Sequence, residues 1–154
     1  MSAAVQPRGL DLVIGIGNPL RGDDGVGWLL VQELSRRPSL AARCVQQLTP
    51  ELVVELAEHR RVLFVDAWQA PAATRPVLRP LLPHLEETAD GLSHRTDPAG
   101  LLALCALLQG PPPAAMELLV PARGFGHGRG LSPGLRRQLP AARQLLRSWM
   151  ACTS

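Results

Sequence analysis

The sequence predicts an α/β fold in which a mainly parallel sheet carries helices on both faces. Two observations lead there. Short apolar runs, Leu10 to Ile16 and Val62 to Val65 above all, are continuous rather than alternating, the pattern of strands covered on both sides. Between them lie segments whose apolar residues recur at helical spacing. Three helix starts are marked by a capping residue followed by proline, at Thr49-Pro50, Asp97-Pro98 and Ser132-Pro133. A chain of 154 residues is enough for one domain with a real core, so a single domain spanning 1–154 is expected.

In chain order, strand one is Leu10 to Ile16. Helix one follows from Asp24 to Arg36, with Val26, Leu29, Leu30 and Leu34 inward, and Arg36, Arg37 and Pro38 close it. Arg43 to Leu48 reads as a weaker second strand. Thr49-Pro50 then opens helix two, which turns Leu52, Val53, Leu56 and Ala57 inward. Val62 to Val65 is a third strand ending on Asp66. The proline-rich stretch from Ala70 to Pro83 holds an edge strand around Pro76 to Leu82, since proline cannot donate to a central ladder. A polar loop from Glu86 to Thr96 leads to helix three, Ala99 to Gln109. The last strand is Ala115 to Val120, and a glycine-rich loop, Arg123 to Gly130, precedes the final helix. Leu135, Leu139, Ala142, Leu146 and Trp149 form the buried stripe of that helix.

Composition narrows the function classes. No apolar run approaches the roughly 20 residues of a membrane helix, and the N-terminus lacks the pattern of a secretory signal. Three scattered cysteines, Cys44, Cys105 and Cys152, form neither a disulfide framework nor a metal-binding pair, so a reducing cytoplasm is expected. The net charge of +3 comes from scattered arginines, and aromatics are 3% with no tyrosine. Nucleic acid is therefore not an expected partner.

The stretch from Leu12 to Trp28, LVIGIGNPLRGDDGVGW, organises the rest. Gly15-x-Gly17 resembles a dinucleotide fingerprint, but the third glycine falls on Leu20 and strand two ends in Gln46 and Gln47 instead of an acid, which disfavours a nucleotide site. Asp23 reads as the cap of helix one. Asp24 is then a surplus acid, either a first-turn carboxylate favoured by the helix dipole or a functional one. In parallel sheets ligands sit beyond the carboxyl ends of the strands where strand order reverses. If strands one and three are neighbours, Asp24 and Asp66 share a cleft there. If the last strand is parallel to the first, the loop holding His94, three residues before the cap Asp97, and the loop holding His127 reach the same edge. Two carboxylates and an imidazole suit nickel, zinc, cobalt or iron with open positions. Against this, Asp66 also fits a self-bonded turn, and His94, His59 and His84 also fit solvated surface.

The motifs GIGNPLRGDDGVG, QLTPEL, LFVDA, SHRTDP and GHGRGLSP, in this order over Leu10 to Trp149, resemble the hydrogenase maturation endopeptidases. The resemblance implies a three-layer α/β/α fold with a mixed, mainly parallel five-stranded sheet and one antiparallel strand, for which the proline-rich edge strand is the candidate. It implies a cytoplasmic endopeptidase, likened to a monomer, that removes the C-terminal extension of a nickel-iron hydrogenase large-subunit precursor after nickel insertion. It places the metal-contacting and catalytic residues at Asp24, Asp66 and His94, with nickel supplied by the substrate; apart from the resemblance, substrate contacts are expected at Asn18, Asp23 and His127. Where many relatives carry an Asp-Gly-Gly-Thr motif, this chain has Gln46-Gln47-Leu48-Thr49. The other reading of the same cleft is a nickel-dependent binding or chaperone module that holds the precursor without cutting it.

Overall fold

The structure, a computed structural model, describes residues 9–69, 74–85, 96–126 and 128–152. Its sheet has five strands: β1 (Asp11–Ile16), β2 (Leu40–Val45), β3 (Arg61–Gln69), β4 (Val77–Leu81) and β5 (Ala114–Ala122). They are ordered β2-β1-β3-β5-β4. The β1–β2, β1–β3 and β3–β5 pairs are parallel, and β4 runs antiparallel to β5. The expected mixed sheet with one antiparallel edge strand is present, and Pro80 lies in that edge strand, where its missing N–H breaks no central ladder.

Period-two alternation sorts the strands into two cores. Val13 of β1 with Leu63 and Val65 of β3 faces α1 (Val26–Gln32), α4 (Pro133–Arg136) and α5 (Leu139–Ala151). Leu12, Ile14 and Ile16 with Val62 and Phe64 faces the other way, onto α2 (Leu52–Ala57) and α3 (Pro98–Leu108). Three layers result, as the resemblance implies. The stripe Leu135, Leu139, Ala142, Leu146 and Trp149 is buried throughout. No helix among the described residues is long and apolar enough to cross a membrane.

Several expected boundaries move for physical reasons. Helix one is shorter than the span from Asp24 to Arg36. A 3-10 turn, Gly22–Gly25, precedes it, and after Gln32 the chain closes into i to i+3 turns while the Ser35 hydroxyl takes the Gln32 carbonyl at 2.8 Å. β2 is Leu40–Val45 rather than Arg43 to Leu48, because all six of its residues pair with β1. Leu48 is instead buried with the α2–α3 layer. Asp97 caps α3 through the Gly100 N–H at 2.7 Å, and Ser132 caps α4 through the Leu135 N–H at 3.2 Å. Thr49 does not cap α2, which begins at Leu52 after a turn and has no side-chain cap bond. The final helix is two pieces, α4 and α5, and α5 restarts with Pro140 in its first turn, where a missing N–H costs nothing.

The close seat of α1 on the sheet depends on Gly27. A Cβ there would lie 2.5 Å from the Val65 carbonyl oxygen and 2.8 Å from that of Ile16, both backbone atoms that cannot swing aside. Gly27→Ala is therefore expected to destabilise the chain by about 1–3 kcal/mol, the usual scale of overpacking. A urea midpoint equal to that of the wild type would show that the α1 seat is looser than this geometry requires.

Candidate functional site

The β1–β3 ladder ends at Gly15 and Val65, whereas the β3–β5 ladder continues through Asp66, Ala67, Trp68 and Gln69. Asp66 therefore does not end its strand, contrary to the sequence expectation. It sits one residue beyond the point where β1 stops pairing with β3, while β5 carries β3 onward on its other side. Strand order reverses between β1 and β3, so this is the switch point at which parallel sheets place their ligands. The Val62, Phe64, Asp66 alternation turns the carboxyl toward the α2–α3 layer.

Asp24 reaches the same place from the other side of the gap. The chain leaves β1 through Gly17, whose φ of +137° and close approach to the Asp24 carbonyl admit only glycine: a Cβ would lie 1.9 Å from that oxygen. The Asn18 N–H then donates to Asp24 Oδ2 at 2.9 Å, and the Asn18 side chain accepts from the Leu20 N–H at 2.9 Å. Asn18, expected as a substrate contact, thus orients Asp24 with its backbone and closes the turn with its side chain. A cleft of about 830 Å³ opens at this edge, and Asp24 and Asp66 both line it.

The electrostatics of the pair are uneven. Burial pushes the Asp66 carboxyl up to about 7, helped by the charges of Asp24 and Glu117, while the Ala67 N–H, donating at 2.8 Å, pulls in the opposite direction. Glu117, an acid inside the apolar run MELLV, escaped the sequence reading. It is buried in β5 and paired with Arg79 of β4 at 2.5 Å, directly across the antiparallel register. Arg21, Gln46 and Thr96 also line the cleft and were missed. The one available signal was Gln46, at the position where the resembling motif has an acid.

Asp23 differs from its expected roles. It is fully buried and makes no cap bond to its own helix. Its carboxylate accepts from the N–H groups of Arg123 at 2.7 Å, Gly124 at 3.0 Å and Ser132 at 2.6 Å, and from the Ser132 hydroxyl at 2.8 Å. Burial alone raises such a carboxyl, but these donors outweigh it and hold Asp23 below the usual carboxylate range. No surface of it is left for a substrate.

His94 and His127 lie outside the described residues. The residues that follow the His94 segment, Thr96, Asp97 and Pro98, do line the cleft, so α3 begins at the expected edge. Among the described residues no three His, Cys, Asp or Glu side chains form a metal-holding group. The two acids offer two hard oxygen donors to a cation, and any third ligand has to come from elsewhere.

No protein-family model matches the sequence, and no curated protein matches it. Solved structures do match the fold. The hydrogenase maturating endopeptidase HybD from E. coli is 18% identical, with 92% of this chain and 93% of that chain covered and a TM-score of 0.66. A hydrogenase 2 maturation peptidase from a Thaumarchaeota archaeon is 22% identical over 92% and 97%, also with a TM-score of 0.66. The NiFe hydrogenase maturation protease HycI from Thermococcus kodakarensis is 19% identical over 88% and 89%, with a TM-score of 0.65. At these identities the likeness establishes that the chain shares their fold.

The raised Asp66 predicts a pH signature. Its folded value of about 7 lies above its ordinary 3.8, so the folded chain binds the extra proton between those limits. Its contribution to stability is complete below about pH 4 and is lost as pH rises through about 7. Asp66→Asn should therefore raise the melting temperature at pH 8 by a few degrees and flatten the stability profile between pH 4 and 7. Parallel profiles for the two proteins would place Asp66 in ordinary solvent instead.

Proposed function

We propose that this cleft receives the nickel centre of a hydrogenase large-subunit precursor and that the chain removes the precursor's C-terminal extension. The observation that carries the reading is the pair Asp24 and Asp66, two carboxylates from separate segments that face one cleft at the switch point and repel each other there. A divalent cation set between them would relieve that repulsion. The motif resemblance and the solved endopeptidases of the same fold support the substrate class.

In this reading nickel belongs to the substrate. Asp24 and Asp66 contact it and so bring the scissile bond to the cleft, and His94, in the segment that leads into Thr96, is the third contact. A carboxylate of the pair would then activate the attacking water. In the alternative, the substrate's nickel held by these acids would polarise the scissile carbonyl. His127 of the glycine-rich loop and Asn18 are proposed to meet the substrate tail. The cytoplasm, with its reducing conditions, is the proposed compartment.

Incubation of the purified chain with nickel-loaded and nickel-free precursor, read by mass spectrometry, tests the proposal. Shortening of the loaded form alone is the expected result, whereas equal cleavage of both defeats nickel recognition. Precursor retained at full length in a stable complex favours the binding module. Asp24→Ala should reduce processing to background. Loss of its bond to the Asn18 N–H costs about 1 kcal/mol, a shift of roughly 2–4 °C in melting temperature. A variant that still processes at the wild-type rate removes Asp24 from the site.

A further inference from the structure

The buried carboxylate next to Asp24 is not idle. All the donors that Asp23 holds come from the segment that leaves β5, 100 to 109 residues further along the chain. Backbone bonds run beside them: the Asp23 N–H donates to the Gly124 carbonyl at 3.0 Å, the Gly22 N–H to the Gly128 carbonyl at 3.0 Å, and the Gly128 N–H to the Leu20 carbonyl at 2.8 Å. The 3-10 turn that carries Asp24 is thereby tied to Gly124 and Gly128 of the glycine-rich loop. Ser132 extends the connection, because the hydroxyl that donates to Asp23 also accepts from the Leu135 N–H and starts α4.

The chemistry of this clamp requires a carboxylate. Oδ2 accepts three hydrogen bonds and Oδ1 one, so both oxygens are acceptors only. An asparagine of the same shape would put an NH₂ group against an N–H or O–H donor on one side and leave buried donors unpaired. Asp24 directly follows this anchored residue. Its own carboxylate is held by the Asn18 N–H, and Asn18 belongs to the same turn. What the clamp fixes is therefore the aim of Asp24 toward Asp66.

We infer that Asp23 is a positioning residue for the acid pair: it ties the turn bearing Asp24 to the loop after β5, and that tie holds the Asp24 carboxylate at the cation-binding edge of the cleft. The inference deepens the proposed function and rests on the reading of Asp24 as a metal contact.

The test is a titration with Ni²⁺ alone, followed by quenching of tryptophan fluorescence, together with processing of nickel-loaded precursor. Wild type, Asp23→Asn, Ser132→Ala and Ser132→Thr are compared well below each protein's melting temperature. Asp23→Asn should weaken nickel binding and lower kcat by about 10–100-fold, the usual cost of removing a group that orients a ligand. Ser132→Ala, which keeps the amide donors, should show a smaller loss in the same direction, and Ser132→Thr, which restores the hydroxyl, should recover it. Folded variants with lower melting temperatures but wild-type nickel affinity and kcat would overturn the inference and leave Asp23 as a structural clamp. If Asp23→Asn does not fold, the Ser132 pair decides by the same criterion. A wild-type chain that neither binds nickel nor processes precursor overturns the metal reading of the cleft and this inference with it, a result distinct from variants that match a functional wild type.

Discussion

The point at which β1 stops pairing with β3 controls the rest of the cleft. A parallel ladder leaves no room for side chains between strands, so a site can open only where one strand departs and its neighbour goes on. Here β1 parts from β3 after Gly15 while β5 keeps β3 in register to Gln69. Asp66 is consequently held rigidly by a strand on one side and opens to the cleft on the other. The departing chain makes its exit through Gly17 and returns Asp24 to the same gap. The two acids meet because a ladder ends on one side only.

Acids crowd this edge of the molecule, and each is stabilised differently. Asp23 is buried and saturated by donors from a distant loop. Glu117 is buried and paired with Arg79. Asp24 takes an amide from its own turn. Asp66 alone is left with one local amide against burial and two neighbouring negative charges, and its affinity for a proton rises accordingly. A site that will accept a cation or a proton is marked by such a deficit, because the surrounding structure has left the charge uncompensated.

The opposite end of the sheet shows the contrast. Arg61, at the start of β3, meets Asp11 of β1 at 2.5 Å, lies 4.2 Å over the Trp149 ring and donates to the Trp149 and Cys152 carbonyls. Burial raises the Asp11 carboxyl, but Arg61 and Arg60 outweigh it and hold the group below its usual range. This network ties the end of the last helix to the first and third strands. Charge is compensated at the amino ends of the strands, whereas Asp66 at the carboxyl ends is left with a deficit.

The sequence by itself determined the alternation of strands and helices, the two-sided burial of β1 and β3, the edge position of the proline-bearing strand and the caps Asp97 and Ser132, since each depends on residues within a few positions of one another. It also brought Asp24 and Asp66 to one edge, given the neighbourhood of strands one and three. The tertiary structure decided what depends on distant partners. β3 runs past Asp66 only because β5 is there to pair with it, and Leu48 leaves β2 because a second core receives it. Asp23 looked like a local cap because its true donors lie more than a hundred residues downstream at Ser132, and Glu117 was invisible as a neighbour of Asp66 until β5 was laid beside β3. Local patterns in a chain specify elements, and the compensation of buried charge is specified by whatever segment the fold delivers to it.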